Sequence, residues 1–429
     1  MRPSCKKYGL AKHNEIFQRM KILIVSQYFW PEGFRINDIA RTLVERNMEV
    51  EVLTGKPNYP GGSIYAGYKA LGCQRGTEFG VVINRVPLLA RGKGALRLAL
   101  NYLSFIISGM LFAPWLLRRK KFDIIFVYGL SPILSAIPAI FLGRIKGCPV
   151  VLWVQDLWPE SLSATGYVHN LLVLKLVEYV VRFIYRHADL LLVQSEAFIA
   201  PVSALAGDTP VVYYPNSVDE NFAVPTTTTV PDVPGLGSGR FSVMFAGNIG
   251  AAQAVEVIIE AATCLKKYVD IRFVILGDGS RREWMLQEAK NRNLTNLHLP
   301  GRFPVETMPG FMQKASALLV TLSDQPIFAL TVPSKVQAYM ATGRPILACL
   351  NGEGARLVVE AEAGLAVPAG DGSALAEAVL KLYKTAPMER EKLGNNGRSY
   401  YKENFDHDSL IDQLIRHFEV ALHDGKGVQ

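Results

Sequence analysis

The sequence predicts an α/β chain of two doubly wound halves, each a mostly parallel sheet covered by helices, facing one another across a cleft. Three observations carry this expectation. Short β-branched runs alternate with longer segments of helical period, the pattern of parallel strands returned by helices. Most of these runs are apolar on successive residues, as strands buried on both faces must be. The stretch from Asp219 to Arg240 breaks all periodicity with threonine, proline and glycine, and reads as a linker. A chain of 429 residues also exceeds the size at which one core keeps growing.

In the first half the expected strands are Lys21–Ser26, Val50–Thr54, Val81–Arg85, Asp123–Val127, Val150–Val154, Leu190–Val193 and Val211–Tyr214. In the second they are Phe241–Ala246, Ile271–Leu276, Asn296–Leu299, Ala317–Thr321 and Ile346–Leu350, and an amphipathic helix from Asp408 to Leu422 follows. The expected organisation is an extension (1–19), a first domain (20–218), a linker (219–240), a second domain (241–405) and a terminal helical segment (406–429). Met1 to Arg19 is polar and basic with no apolar core, which does not suit a secretory signal. Met20 is a candidate start, and the residues before it are expected to be dispensable.

The net charge of +8 admits three partners: nucleic acid, an anionic membrane or a phosphate-bearing ligand. No basic run is interleaved with aromatics and no zinc-finger or recognition-helix spacing occurs, so no nucleic-acid partner is expected. The cysteines Cys5, Cys73, Cys148, Cys264 and Cys349 are scattered and odd in number. That argues against a disulfide framework or a zinc site and for a reducing compartment. One segment stands apart: Leu98 to Leu117 carries no charge and is about as long as a membrane span. Arg91, Lys93 and Arg97 precede it, and Arg118, Arg119, Lys120 and Lys121 follow. A buried helix and an interfacial helix both suit it. A span fits least, since positive charge on both sides sets no orientation. The reading adopted is a helix partly buried and partly lying among lipid headgroups.

Three turns in the second half suit an anion. Phe241–Ala246 runs into Gly247-Asn248-Ile249-Gly250, with a helix expected to start near Ala251-Ala252-Gln253, and unpaired N–H groups at such an end attract negative charge. Gly277-Asp278-Gly279 repeats the geometry, although an aspartate between glycines also makes an ordinary turn. Pro333-Ser334-Lys335 opens a further helix, with Ser334 expected as its N-cap. A lysine at a helix amino end opposes the dipole unless an anion is shared there. The one Asp-x-Asp, Asp406-His407-Asp408, is expected to cap the final helix, and no metal site is expected.

Taken in order, PSKVQAYMATGRPI (from Pro333), FAGNIGAAQ, LGDGS, GRFPVETMP and the amino-terminal ILIVSQYFWPEGFRINDIA resemble the family-four retaining glycosyltransferases. With LTGKPNYPGG and WVQDLWPES the chain is similar to the N-acetyl-L-fucosamine transferase branch of O-antigen and capsule assembly. The resemblance implies the GT-B fold, two Rossmann-like domains with a C-terminal helix that can cross back to the first. It also implies transfer with retention from a UDP-sugar co-substrate, without metal or other cofactor, to a polyprenyl-diphosphate-linked acceptor. The work would be done on the inner face of the cell membrane. On the donor side it implies Gly247, Asn248, Gly250 and Gln253 near the diphosphate, Gly277, Asp278 and Gly279 beside the nucleotide, and Arg302, Phe303 and Pro304 beside its base. Ser334 and Lys335 would contact phosphate. Gly33, Arg35, Asn37, Lys56 and Tyr59 fall on the acceptor side, and Asp156 reaches the reacting centre; the catalytic set is Asp156, Lys335 and Arg302. Where the family has its glutamates this chain has Ala338 and Leu330, and no histidine lies near Gln155-Asp156. Gln337 or Glu353 is the candidate substitute for the ribose contact. The alternatives are a nucleotide-sugar 2-epimerase of the same fold and a non-catalytic nucleotide-sugar-binding scaffold.

Overall fold

The structure, a computed structural model, describes residues 19–92, 94–131, 133–164, 170–218, 222, 230–237 and 239–425. Most of the extension (1–18) and parts of the linker (219–221, 223–229 and 238) lie outside the described residues, as does Lys93.

Fourteen strands form two sheets among the described residues. The first holds β1 (Lys21–Val25), β2 (Glu49–Thr54), β3 (Gln74–Glu78), β4 (Val81–Arg85), β5 (Ile124–Gly129), β6 (Val150–Val154), β7 (Leu190–Val193) and β8 (Val211–Tyr213), in the order β3-β4-β2-β1-β5-β6-β7-β8. Only β3 is antiparallel. The second holds β9 (Phe241–Ala246), β10 (Ile271–Leu276), β11 (Leu297–Gly301), β12 (Ala317–Thr321), β13 (Ile346–Cys349) and β14 (Gly364–Val367), ordered β11-β10-β9-β12-β13-β14 and parallel throughout. Both orders reverse direction once, between β1 and β5 and between β9 and β12, and an open α/β sheet offers its ligand crevice at such a point.

Two strands were not expected from the sequence, for one physical reason. β3 (QRGTE) is a polar edge strand with no face to bury, and β14 (GLAV) is a half-buried edge of four residues. Neither shows the apolar run that marks the central strands. The linker is no free tether where it is described: Val230 and Val233 are buried against the second domain's core, beside Val218.

The final helix, His407–Gly425, crosses to the first domain. Leu410, Ile411, Leu414, Ile415 and Phe418 are buried with Ile22, Ile24, Phe126 and Trp153 of the first sheet. Side chains of this size are worth about 1.5–3 kcal/mol each when fully buried, so the helix is part of that domain's core. Asp406 caps it by accepting from the Ser409 amide, 2.9 Å. His407 bridges Thr42 and Ser217, each at 2.9 Å, and Arg46 pairs with Asp408 (2.7 Å) and Asp412 (2.8 Å). All three residues of the Asp-x-Asp segment are thereby engaged in the crossing.

Candidate active site

On the second domain the crevice at the β9/β12 reversal is floored by main chain. The Gly247 amide donates to Leu276 O and the Ile249 amide to Asp278 O, both at 2.8 Å, which knits the turn after β9 to the turn after β10. The approach is so close that a Cβ on Gly277 (φ +151°) would lie 1.8 Å from Gly247 O. Glycine is required there by contact and by backbone conformation together. Gly279 is equally confined, against Ile249 O and Asn248 Oδ1. The Gln253 side chain accepts from the Gly250 amide (3.2 Å) and from Asn248 Nδ2 (3.1 Å), so Gln253 braces the turn from within.

Lys335 completes this cluster. Its Cε lies 2.8 Å and its Nζ 3.2 Å from where a Gly247 Cβ would stand, and Nζ sits 3.8 Å from the centre of the Phe245 ring. Among the described residues no carboxylate pairs with it, and burial lowers its pKa to about 7. A half-buried ammonium resting on an aromatic face, against a glycine turn with no side chain to fill the space and without a counter-ion, is suited to an anion brought from outside.

Several donor-side expectations need correction. Ser334 is the first residue of its helix (Ser334–Thr342) rather than the N-cap, which is Pro333, and its side chain makes no capping bond. Proline holds the extended cap conformation without a side-chain acceptor; the Val336 amide bonds Pro333 O at 2.9 Å, and the Ser334 and Lys335 amides have no cap. Only a single 3₁₀ turn stands at Ala251–Gln253; the α-helix begins at Glu256. Gln337 is fully buried with both amide atoms unpartnered, and Glu353 is held by Arg356 at 2.9 Å, which also reaches Glu196 of the first domain. Neither side chain is presented to a ribose in this arrangement. Arg302 and Pro304 are exposed, and Phe303 tilts against Phe311 with ring centres 4.7 Å apart.

The first domain's side of the cleft is made of side chains. Asp156 follows β6 and accepts from Ser131 Oγ at 2.9 Å, and Ser131 in turn accepts from Trp158 Nε1 at 3.0 Å. Burial raises the Asp156 pKa against the lowering effect of the Ser131 bond. Gly33 is exposed with open space around it, and Arg35 is half-buried and paired with Asp38 at 3.2 Å. The Tyr59 ring is exposed at the rim, packed on Tyr28 and Phe34 with Arg91 5.3 Å from its centre.

Two acceptor-side expectations are not met. Lys56 is fully buried and donates to Gln74 of β3 at 2.6 Å, and Asn37 is spent on the loop before its own helix, donating to Glu32 O and accepting from the Trp30 amide. Both hold loops instead of facing an acceptor. Sequence reasoning missed Ser131 and Glu32. Ser131 stands at the carboxyl end of β5, a position whose polar residues face the cleft by the same logic that selected Asp156. Glu32, directly before Gly33, is buried and accepts from the Asn58 (2.8 Å) and Tyr59 (2.7 Å) amides, so it fixes the loop that carries Tyr59. Among the described residues no three His, Cys, Asp or Glu side chains are grouped to hold a metal ion.

Two Rossmann-like domains meeting at such a cleft, one side glycine-built and cationic, the other aromatic with a buried acid, form the GT-B arrangement, and the class of protein is a glycosyltransferase. The chain belongs to the group 1 glycosyltransferases. The family profile described as "Glycosyl transferases group 1" matches residues 240–385, and "Glycosyl transferase 4-like domain" matches residues 33–217. The chain is similar to the probable glycosyltransferase WbjE of Pseudomonas aeruginosa, 27% identical over 80% of this chain and 84% of that one. It is also similar to the putative colanic acid biosynthesis glycosyl transferase WcaI of Escherichia coli K12, 23% identical over 76% and 82%. Among solved structures, Anabaena Alr3699/HepE in complex with UDP and glucose superposes with a TM-score of 0.67, at 16% identity, over 94% of this chain and 100% of that one. That likeness is one of fold.

Proposed function

We propose that the chain transfers a sugar, with retention, from a UDP-sugar to a polyprenyl-diphosphate-linked acceptor during surface-polysaccharide assembly, as a peripheral protein of the inner membrane face. The observation that carries this reading is Lys335: an ammonium without a carboxylate partner among the described residues, touching the glycine turn at the second sheet's switch point. In the reaction the bond from the anomeric carbon to the donor diphosphate breaks, and the diphosphate leaves with the electron pair. The acceptor hydroxyl forms the new bond on the same face and passes its proton to the departing diphosphate oxygen. Lys335 and the Ser334 and Lys335 amides at the start of its helix stabilise the leaving charge, Arg302 reaches it from the rim, and Asp156 faces the sugar from across the cleft. One preorganised donor of this kind is worth about 2.7–4 kcal/mol of barrier. The UDP preference draws support from the UDP complex of the Anabaena protein, and the polysaccharide role from the colanic acid name of the Escherichia coli relative. An N-acetylated amino sugar such as N-acetyl-L-fucosamine is the donor to test first, on the motif resemblance.

The test is product analysis with radiolabelled UDP-sugars and a polyprenyl-diphosphate-linked sugar in vesicles. Label is expected to enter the lipid extract with retained configuration, and Lys335→Ala is expected to slow turnover at saturating donor by at least about tenfold, about 1.4 kcal/mol. Unchanged turnover in that variant rejects the role of the lysine, and label left on the nucleotide with every sugar rejects the transfer reaction proposed here.

A further inference from the structure

The helices over the first sheet are unequally covered. Moving from β4 to β5, from β5 to β6 and from β6 to β7 steps across the sheet in one direction each time. Right-handed crossovers therefore put the three connecting helices, Ala95–Leu116, Ala136–Lys146 and Leu171–Arg186, on the same face. Their buried residues share one core, with Phe105, Ala139 and Ile184 among them. The middle helix packs against both others and is itself mostly buried. The outer faces of the first and third thus flank it and point the same way.

Both outer faces are apolar. On the first helix only 28% of the apolar window is buried, and Ile107, Leu111 and Trp115 are exposed. On the third, Leu172 (76% exposed), Leu176 (64%) and Tyr179 (72%) repeat at helical spacing, with Leu171 and Phe183 also exposed. A patch built on two helices exceeds the scattered apolar residues of an ordinary surface. Its charges are mostly basic, with the exposed acids Asp123 and Asp189 at the same margin and Arg97 and Lys175 toward the amino ends. Arg118, Arg119, Lys121, Arg144 and Arg186 gather at the carboxyl ends of the three helices, and Arg118 stacks on the exposed Trp115 ring at 5.2 Å. The first helix carries no acid, and the acid of the third, Glu178, is neutralised by Arg182 at 2.7 Å.

We infer that the Leu171–Arg186 helix is a second membrane-docking element, which with Ala95–Leu116 forms one monotopic face that seats the first domain on an anionic bilayer. An apolar surface with interfacial aromatics and a cationic margin matches the headgroup region of such a bilayer in polarity and in charge. Two parallel rows resist rolling, which one helix cannot. The Ala95–Leu116 helix also reaches the cleft, where Asn101 accepts from Gln27 at 2.7 Å and donates to Leu89 O at 2.6 Å beside the Tyr28–Tyr59 aromatic shelf. The seated face therefore leads a lipid-borne acceptor to the rim.

This rests on the membrane reading above, and the experiment separates the two. The full chain, L172E/L176E and I107E/L111E are sedimented with vesicles of phosphatidylcholine alone or with one third phosphatidylglycerol, and their oligomeric state is measured by ultracentrifugation. All four positions are solvent-exposed, so the melting temperature is expected to hold. The expected result is strong binding of the unmodified chain to anionic vesicles and a loss of about tenfold or more in each variant. Failure of the unmodified chain to bind removes the membrane reading itself. Binding lost in I107E/L111E and kept in L172E/L176E overturns this inference alone, and so does an L172E/L176E variant that dissociates an oligomer while still binding vesicles.

Discussion

The two sides of the cleft are made of different material. The second domain offers main chain: the turns at Gly247 and Gly277–Gly279 are locked by amide–carbonyl bonds, and one side chain, Lys335, supplies the charge. The first domain offers side chains: Glu32 holds the Tyr59 loop, Ser131 and Trp158 hold Asp156, and Tyr28, Phe34 and Tyr59 form an aromatic shelf. A diphosphate is the same in every nucleotide-sugar, so a close glycine wall with one cation suits it. Acceptors differ, and on the function proposed here the first domain recognises its acceptor with replaceable side chains. The donor side should therefore fail when a Cβ is added, and the acceptor side should not.

The largest effect is expected from that contrast. Gly277→Ala drives a methyl carbon into Gly247 O at a positive φ, where neither backbone can yield without opening the turn. Strain and overpacking together cost about 3 kcal/mol or more, and UDP affinity is expected to fall with them by more than tenfold. Gly33→Ala, across the cleft, meets nothing within 4 Å and is expected to leave the denaturation midpoint unchanged. Denaturant unfolding and UDP titration of both variants check this; equal behaviour of the two glycines would break the comparison.

The pH dependence of donor binding sharpens it. Burial lowers the Lys335 pKa to about 7, and a diphosphate alongside is expected to raise it. With the bound-state pKa above the free one, the lysine's contribution to affinity is complete below pH 7 and is lost as pH rises through the bound-state value. The dissociation constant for UDP is expected to climb between pH 7 and 9, by up to about tenfold per unit, and to stay level in Lys335→Met. A level profile for the unmodified chain would remove Lys335 from the anion site.

The same contrast governs how much could be read from the sequence. Strands such as Val150–Val154 and Leu190–Val193 announce themselves because both faces are buried and every residue is apolar. Glycine turns after such strands are equally legible, since only glycine permits the approach that Gly277 makes. What failed depended on tertiary neighbours. Lys56 and Asn37 have the chemistry of ligand-binding residues, and nothing local reveals that β3 and the Trp30–Phe34 loop take up their hydrogen bonds. Glu353 is the exception, since its partner Arg356 stands one turn on in the same helix and the pairing was open to the sequence. β3 itself was invisible because an exposed edge strand need not be apolar.

The smallest expected effect is therefore the most discriminating one for the first domain. Lys56 is fully buried against a neutral acceptor, Gln74 Oε1, and burial lowers its pKa to about 8. Between about pH 8 and the ordinary lysine range the unfolded chain holds this proton more tightly than the folded one, so stability rises with pH across that window and the charge is a burden below it. Lys56→Met keeps the length of the side chain and removes the charge, while the half-buried Gln74 amide can turn to solvent. Exchange of a buried charge for an apolar group of similar shape is often neutral or favourable, so the variant should differ by no more than about 1 kcal/mol at pH 7 and lose the rise in stability above pH 8. Because the ammonium bonds β3, the KM for the proposed lipid-linked acceptor is expected to change by less than about twofold. A several-fold rise in that KM, with stability intact, would return Lys56 to the acceptor surface and show that β3 moves aside when the acceptor arrives.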